Sequence, residues 1–192
     1  MNILVVGGGG REHAIIKKLR ENERVETIYA LPGNGGIAQD AVCTGIAATD
    51  LDGIAAFARE NPVDFAVIAP DDPLVLGLAD RLRGLGIPCF GPSAKAAAIE
   101  GSKVFAKDLM RKYGIPTARY QVFTSSAEAL AYLETCPYPA VVKADGLALG
   151  KGVLICQNEQ EAADGVKEIM LDKKFGASGN HVVVEEFLTG PE

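Results

Sequence analysis

A glycine-rich loop that carries two lysines is the strongest candidate for chemistry in this chain. Residues 143–152 read Lys-Ala-Asp-Gly-Leu-Ala-Leu-Gly-Lys-Gly, and an apolar run leads into them. Glycines let a backbone approach an anion and turn its N–H groups inward, while ammonium groups place point charges against phosphate oxygens. The loop is not a Walker A sequence, because Gly152 stands where that motif has a magnesium-binding Ser or Thr. The pattern therefore predicts an ATP site of another class.

A second glycine cluster, Gly7 to Gly10, follows the first apolar run and precedes a helical pattern. Backbone N–H groups and the helix dipole favour an anion there, and the cations Arg11 and His13 would otherwise be unfavourable in a first helical turn. We expect a phosphate-bearing small molecule, with a tight structural turn as the alternative. His13 could instead be a surface residue that is hydrogen-bonded locally, and Glu12 is expected to be a favourable first-turn carboxylate and no more.

The same glycine cluster can be compared with the fingerprint of dinucleotide-binding folds. The third glycine of the fingerprint G-x-G-x-x-G falls on Glu12 or His13, depending on where the count begins. In addition, no acidic residue after the second apolar run is placed to hold a ribose. Both observations disfavour NAD.

Composition limits the class of protein. The 192 residues are 48% apolar and 23% charged, which is typical of a globular fold. A net charge of −6 argues against a nucleic-acid-binding surface over the whole domain. The four cysteines contain no C-x-x-C pair, so reduced thiols are expected rather than a zinc site or a redox dithiol. The start does not resemble a secretory signal, and no apolar run of about 18 residues predicts a membrane span. A cytoplasmic location is expected.

Alternating apolar runs and helical patterns predict a doubly wound parallel α/β sheet in the first half. Beyond Gly114-Ile115-Pro116, shorter elements predict a small α+β unit. The strands are predicted at 3–6, 25–30, 63–69, 87–90, 120–123, 140–143, 153–156 and 181–187. Helices are predicted after the first glycine cluster and at 50–59, 73–85, 93–113, 126–135 and 159–171, with Thr49 or Asp50 as the cap of the second and an interruption around Gly101 in the fourth.

Six segments in order resemble one family of ligases. They are Val6-Gly-Gly-Gly-Gly-Arg-Glu-His13, Pro32-Gly-Asn34, Phe90-Gly-Pro92, Gly101-Ser-Lys-Val-Phe-Ala-Lys107, Val142-Lys-Ala-Asp-Gly-Leu-Ala148 and Val184-Glu-Glu-Phe-Leu188. Together they resemble the phosphoribosylamine–glycine ligases, also called glycinamide ribonucleotide synthetases, of the ATP-grasp superfamily. The resemblance covers essentially the whole chain. It implies a substrate domain over 1–100, a connecting helix and linker over 101–119, and an ATP-grasp lid over 120–192 that ends at the adenine hinge.

The resemblance also implies the reaction, which belongs to de novo purine biosynthesis. In the family, ATP drives formation of glycyl phosphate, and 5-phosphoribosylamine attacks it to give glycinamide ribonucleotide, ADP and phosphate. The carboxylate must approach a γ-phosphate that is also anionic, so the site needs cations where charge is transferred. Lys103 and Lys143 match the two superfamily lysines that point at the ATP phosphates and are the expected catalytic residues.

Further ATP contacts are carried over from the family. The loop that covers the phosphates in the family matches Gly150, Lys151 and Gly152. The adenine hinge matches Glu185, Glu186, Phe187 and Leu188, and the acid that binds the ribose matches Glu192. Hinge contacts are expected through the backbone. The alternative for the hinge is a plain strand with Phe187 and Leu188 in the core and two solvated glutamates. Lys107 is expected to be a solvated helical lysine.

The amine substrate is expected at the carboxyl ends of strands in the first half, where doubly wound sheets bind ligands. The residues implied are Gly8, Gly9, Gly10, Arg11, Pro32, Gly33, Asn34 and Asp71. The last departs from the family pattern, because Ala69-Pro70-Asp71 stands where the family has Gly-Pro-Glu. The shorter carboxylate could shift its contacts with the ribose or amine, or use water.

Several expectations concern what lies elsewhere. The residues that bind Mg²⁺ or Mn²⁺ in the family, and most of its glycine pocket, belong to a later part of the core, so this chain is expected to be part of a longer protein and inactive alone. The expected ligands are ATP, glycine and 5-phosphoribosylamine, without nucleic acid or membrane, and a monomer is expected. The alternatives are another ATP-grasp ligase of purine metabolism and a noncatalytic nucleotide-binding or regulatory module.

Overall fold

The apolar run after the first methionine forms a strand at the middle of a parallel sheet, and its residues from Ile3 to Gly7 are buried. In the computed structural model, which describes residues 1–147 and 152–191, this sheet has the order β3-β2-β1-β4-β5 and all of its pairs are parallel. Its strands are β1 (Asn2–Gly7), β2 (Thr27–Pro32), β3 (Val42–Cys43), β4 (Phe65–Ile68) and β5 (Cys89–Phe90).

Helices cover both faces of this sheet. One apolar cluster joins Leu4 and Val6 to helices on one side, and a second joins Ile3 and Val5 to Ile16 on the other. The prediction of a doubly wound α/β sheet is therefore confirmed. The helices of this half are α1 (Gly10–Arg20), α2 (Leu51–Glu60), α3 (Asp71–Val75), α4 (Leu78–Gly84) and α5 (Ala94–Gly101).

Local signals explain the limits of these helices. Asp50 caps α2 by accepting a hydrogen bond of 2.9 Å from the backbone N–H of Gly53. The single helix predicted over 73–85 is wrong, because Gly77 adopts a left-handed backbone with φ of 90° and separates α3 from α4. The two-residue strand β3 and the short 3₁₀ turns at Ile37–Gln39 and Gly176–Asn180 were not predicted, because such short segments have no periodicity.

The second half forms an antiparallel sheet in the order β6-β9-β7-β8. Val142 and Val184 lie in the apolar cluster between one face of this sheet and its helices, and the α+β prediction is confirmed. The elements are α6 (Lys103–Tyr113), β6 (Tyr120–Phe123), α7 (Ser126–Leu133), β7 (Ala140–Ala144), β8 (Val153–Cys156), α8 (Glu159–Val166), a π-helical continuation (Lys167–Leu171) and β9 (Val182–Glu186).

Internal contacts divide the chain into two units, Met1–Ala98 and Ile99–Glu192. Helix α6 thus belongs with the antiparallel sheet. Its end follows the predicted stop signal, since Gly114 takes the left-handed C-cap conformation. No helix within 1–147 and 152–191 is long and apolar enough to cross a membrane.

Candidate functional site

The face of the antiparallel sheet opposite α7 and α8 carries charged and apolar side chains together. Alternation along β7 places Val142 in the core and Lys143 on the other face. In the register of the sheet Lys143 pairs with Val153, and Val141 pairs with both Ile155 and Glu185. Val153 and Ile155 are exposed. The face therefore offers a flat apolar strip beside an ammonium group, which suits a base and a phosphate.

Three charged side chains form an ion cluster on this face. Nζ of Lys143 lies 2.8 Å from Oε2 of Glu185, and Nζ of Lys107 lies 3.2 Å from Oε1 of the same carboxylate. The side chains of Glu185, Lys107 and Lys143 are 6%, 10% and 23% exposed. Two cations thus share one buried anion, which leaves a surplus positive charge whose more accessible end is Lys143.

The expectation that Lys107 is solvated is wrong. Its ammonium group donates a 2.8 Å hydrogen bond to Oγ1 of Thr117 and lies 5.4 Å from the centre of the Tyr120 ring. The segment after Gly114 and strand β6 supply these partners, and neither contact can be read from the spacing within a helix. Sequence reasoning also missed the buried carboxylate of Glu185, because the resemblance assigns the hinge only a backbone role.

Lys103 lies at the first position of α6, beside the loop that follows β7. Ser102 caps the helix with a hydrogen bond from Phe105 N, and Asp145 accepts hydrogen bonds from Ser102 Oγ and Val104 N at 3.1 and 3.2 Å. Nζ of Lys103 donates to the carbonyl of Gly146 at 2.9 Å. These contacts fix the start of α6 against the glycine-containing loop.

The electrostatic surroundings of Lys103 also involve Lys143. Burial lowers the pKa of Lys103 below its ordinary value of 10.5, and the positive charge of Lys143 lowers it further, while the carboxylates of Asp145, Glu100 and Glu185 oppose the shift. A polyphosphate placed beside the two lysines would relieve their mutual repulsion. The two side chains that the sequence selected are therefore electrostatically coupled.

Of the other residues predicted to contact ATP, the structure describes Gly152 and Glu186 in detail. Gly150, Lys151 and Glu192 lie outside the described residues. Gly152 is buried, and its carbonyl accepts a 2.8 Å hydrogen bond from Ala144 N. Glu186 accepts hydrogen bonds from the backbone N–H and Nε of Arg119 at 2.8 and 2.6 Å.

The hinge residues do not behave as a plain strand end. Phe187 and Leu188 are 38% and 64% exposed, whereas Glu185 is buried. The alternative of two apolar core residues beside two solvated glutamates is therefore wrong. Strand β9 pairs with β6 and β7 and ends at Glu186, so the backbone groups of Phe187 and Leu188 lie beyond these strand pairs.

In the first unit, two loops at the carboxyl ends of β1 and β2 are tied together. Asn34 Nδ2 donates to the carbonyl of Gly8 at 2.8 Å, and Asn34 Oδ1 accepts from the N–H groups of Gly36 and Ile37, each at 2.8 Å. Gly33 N donates to Gly7 O at 3.2 Å. Among the predicted substrate residues, the structure thus brings together Gly8, Pro32, Gly33 and Asn34, with the carboxamide oxygen of Asn34 accepting two backbone hydrogen bonds inside the loop.

The start of α1 is capped by its own side chain. Glu12 is buried, and its Oε2 accepts a 2.6 Å hydrogen bond from Gly9 N while Oε1 lies 3.0 Å from Nε of Arg11. Glu12 therefore does more than the expected first-turn carboxylate, since it closes a capping interaction. Gly10 and Arg11 are exposed, and the N–H groups of a first helical turn have no partner within the helix.

His13 is hydrogen-bonded locally, as the second of the two interpretations expects. Its Nε2 lies 2.9 Å from Oδ2 of Asp40, and Nζ of Lys17 lies 3.1 Å from the same oxygen. The hydrogen bond with His13 contributes most, and that with Lys17 next, to holding the pKa of Asp40 below its usual range.

Asp71 is exposed at the first position of α3, directly after β4. Near the ends of β4 and β5 the structure also has an apolar groove of about 590 Å³ that includes Arg11, Leu74, Phe90 and Pro92. Sequence reasoning did not assign this groove, although the Phe90-Gly-Pro92 segment marked its rim.

A divalent cation would need oxygen or nitrogen ligands gathered at one place. Within residues 1–147 and 152–191, no group of three or more His, Cys, Asp or Glu side chains is arranged to hold a metal ion. Mg²⁺ at a nucleotide is usually held by one or two carboxylates together with phosphates and water, so this finding concerns a site built from protein side chains alone.

Comparisons with known proteins cover the whole chain. Residues 1–100 match the family model "Phosphoribosylglycinamide synthetase, N domain", and residues 101–192 match "Phosphoribosylglycinamide synthetase, ATP-grasp (A) domain". A phosphoribosylamine–glycine ligase of Caldanaerobacter subterraneus is 50% identical over 192 residues, which are 100% of this chain and 46% of the relative. A trifunctional purine biosynthetic protein, adenosine-3, of Drosophila melanogaster is 50% identical over 196 residues, with 99% of this chain and 14% of the relative covered.

The fold is similar as well. A crystal structure of phosphoribosylamine–glycine ligase from Thermotoga maritima has a TM-score of 0.82 and 31% identity, covering 100% of this chain and 45% of that one. The chain thus spans about half the length of the curated single-function relatives it matches. The chain belongs to the phosphoribosylglycinamide synthetase family, within its N domain and its ATP-grasp domain.

Proposed function

We propose that this chain supplies the amine-substrate domain and the ATP-phosphate face of a phosphoribosylamine–glycine ligase. The complete reaction joins glycine to 5-phosphoribosylamine at the expense of ATP, through glycyl phosphate, and gives glycinamide ribonucleotide, ADP and phosphate. The observation that carries the proposal is the surplus positive charge on the antiparallel sheet, where Lys107 and Lys143 share Glu185. Family membership supports the choice of substrates.

The roles of the side chains follow from charge. Transfer of the γ-phosphoryl group to a carboxylate brings two anions together, and fixed cations offset that repulsion. We assign Lys143 and Lys103 to the phosphates, with the exposed strip of Val153 and Ile155 under the base and the backbone after Glu186 at its edge. Gly150, Lys151, Gly152 and Glu192 keep their expected roles as proposals.

The first unit is assigned to 5-phosphoribosylamine. In the exposed turn of Gly9, Gly10 and Arg11, the backbone N–H groups of Gly10 and Arg11 and the guanidinium are offered to a phosphate, while the N–H of Gly9 is bound by Glu12. This turn is held in place by its neighbours Gly8, Pro32, Gly33 and Asn34, with the last bonded to the carbonyl of Gly8. The carboxylate of Asp71 can accept hydroxyl or amine hydrogens. The ranges 1–100, 101–119 and 120–192 are proposed as the substrate domain, connecting segment and lid.

The remaining requirements of the reaction are also proposals. The family reaction uses Mg²⁺ or Mn²⁺ to neutralise phosphate charge, and the described residues contain no group of three or more His, Cys, Asp or Glu side chains arranged to hold such an ion. No step is therefore assigned to a metal at these residues. We propose a cytoplasmic monomer, and we expect residues 1–192 alone to form no product, since they span about half of the relatives' length.

Two measurements test the proposal. Isothermal titration should detect ATP and a phosphoribosyl ligand such as ribose 5-phosphate at two independent sites of residues 1–192, whereas a single regulatory nucleotide site would favour the noncatalytic module. For turnover, the chain should replace the matching region of the Caldanaerobacter ligase. This chimera should form glycinamide ribonucleotide, and its Lys143→Met variant should not. Product from residues 1–192 alone at native rates would contradict the expected division of the site.

A further inference from the structure

We propose that Lys107 is a positioning residue that acts through Glu185: it keeps this carboxylate neutralised when Lys143 turns towards the phosphates. The inference rests on the proposed ATP site and adds a residue to it. In the structure Lys143 is bound to Glu185 at 2.8 Å, so its ammonium group already has an anionic partner. A phosphate must therefore compete with a carboxylate for Lys143.

The carboxylate is poorly placed to lose a cation. Glu185 is 6% exposed, and its Oε1 accepts no hydrogen bond from the described residues. Lys107 Nζ lies 3.2 Å from that oxygen and meets it as a charge, outside hydrogen-bond geometry. A buried carboxylate without a counter-charge is strongly unfavourable, because neither water nor protein replaces its solvation. If Lys143 were the single cation present, its departure would leave such a group.

The two lysines differ in their freedom to move. Lys107 is held by Thr117 Oγ1 at 2.8 Å, by the carbonyl of Ala118 at 3.5 Å and by the ring of Tyr120 at 5.4 Å. The side chain of Lys143 is more exposed than that of Lys107, and its flexible four-carbon stem extends from a strand. Lys107 is thus the fixed counter-charge and Lys143 the exchangeable one.

This arrangement predicts an exchange of partners on nucleotide binding. Lys143 leaves Oε2 for a phosphate oxygen, and Glu185 stays neutralised by Lys107. Without Lys107, each ATP bound would leave the carboxylate unpaired or leave Lys143 on Glu185, and either outcome weakens binding. Lys107 therefore lowers the cost of freeing Lys143 without touching ATP.

A double-mutant cycle tests the proposal with ATP and residues 1–192. Lys107→Met should weaken ATP binding at least about tenfold, equivalent to about 1.4 kcal/mol. Lys107→Arg, which keeps the charge, should restore affinity to within about threefold. In a Glu185→Gln background there is no charge to neutralise, so adding Lys107→Met should change affinity less than about threefold. Lys112→Met, on the exposed side of the same helix, is the matched control and should bind as the wild type does.

The outcomes separate this inference from the proposed function. If the wild-type chain does not bind ATP, both fail. If it binds ATP and Lys107→Met has the same affinity, only the role of Lys107 is overturned. An equal loss with and without the charge on Glu185 also overturns it, because Lys107 would then act on the phosphates directly. Lys107→Gln, which retains a polar contact with Thr117, replaces Lys107→Met if the latter does not fold, with circular dichroism as the check.

Discussion

The two candidate regions use their polar groups differently. In the first unit, the carboxamide of Asn34 bonds both loops, Glu12 caps its own helix, and Asp40 is shared by His13 and Lys17. In the second unit, two ammonium groups share one buried carboxylate and apolar strands lie exposed beside them. The loops of the first region are therefore held by their own hydrogen bonds, whereas the charged cluster of the second retains positive charge that a ligand can neutralise.

Because of this difference, substitutions in the two regions should change different measured quantities. A loop held by internal hydrogen bonds affects ligands through its shape, so its variants should change stability first. A surplus charge affects ligands directly, so its variants should change affinity first. If a loop variant lost affinity but not stability, or a lysine variant lost stability but not affinity, this contrast between the two regions would be wrong.

The largest effect is expected from Lys143→Met. Loss of a charged contact to phosphate, worth about 1.5–3 kcal/mol, should weaken ATP binding by roughly 10- to 100-fold. Stability should change little, because Glu185 keeps Lys107 as its partner. Isothermal titration and thermal melting measure the two quantities. A variant that unfolds while retaining ATP affinity would reverse the contrast between the regions.

Gly33→Ala should have the opposite signature. Gly33 has φ of 71°, and an added Cβ would collide with Sγ of Cys43, so we expect a loss of about 1–3 kcal/mol in the free energy of unfolding. Gly35→Ala is the matched control, since nothing lies within 4 Å of its Cβ position. Urea titration followed by circular dichroism compares them. Equal stability of the two variants would mean that the loop is not rigid.

Asn34→Asp isolates one of the hydrogen bonds that hold the same loop. The substitution keeps the oxygen that accepts from Gly36 and Ile37 but removes the donor to Gly8 O. We expect a loss of about 1 kcal/mol in the free energy of unfolding, from one hydrogen bond and an unpaired carbonyl. Asn34→Ala, which removes all three bonds, should lose more. If the two variants were equally stable, the bonds from Gly36 and Ile37 would contribute nothing, and if Asn34→Asp were as stable as the wild type, the link to Gly8 would not matter.

The pH dependence of ATP binding probes Lys103 in the second region. Burial lowers the pKa of Lys103 below 10.5, with Lys143 adding to the shift and Asp145, Glu100 and Glu185 opposing it. The ammonium form binds phosphate, so ATP should raise this pKa and take up a proton. Affinity should therefore fall a few-fold as the pH rises through the lowered pKa. Lys103→Met should reduce this dependence; an unchanged pH profile would remove Lys103 from the site.

The smallest effect is expected from Glu186→Gln. Hydrogen bonds from the backbone and side chain of Arg119 hold the pKa of Glu186 below 4.5, so its carboxylate stabilises the fold above the unfolded pKa. That contribution is lost as the pH falls through the lowered pKa. The difference from wild type should thus be slight at neutral pH and disappear in acid. Melting curves at pH 7 and in acid measure it, and a difference that grew in acid would contradict this sign.

Much of the fold could be predicted from the sequence. Apolar runs located the longer strands, and Asp50 and Gly114 marked a helix start and a helix end. The break at Gly77 was missed because glycine inside a helical pattern is compatible with either outcome until the backbone is known. The segments of the resemblance identified the family that the comparisons show.

The candidate site was less predictable. Lys103 and Lys143 were selected by resemblance, and their roles remain predictions. The environment of Lys107 could not be predicted, because helical spacing alone leaves its neighbours on other elements undefined. The exposure of Val153 and Ile155 could not be predicted either, because apolar residues in a strand do not show which face of the sheet is covered.

By itself, the sequence determined the alternation of elements and the choice of lysine-rich and glycine-rich segments, because these depend on periodicity and on residue types close together in the chain. Tertiary structure alone decided that Glu185 lies against Lys143, 42 positions away, and that Lys107 completes the cluster. The physical reason is register: β9 lies between β6 and β7, and a shift of one residue would turn Glu185 into the apolar core.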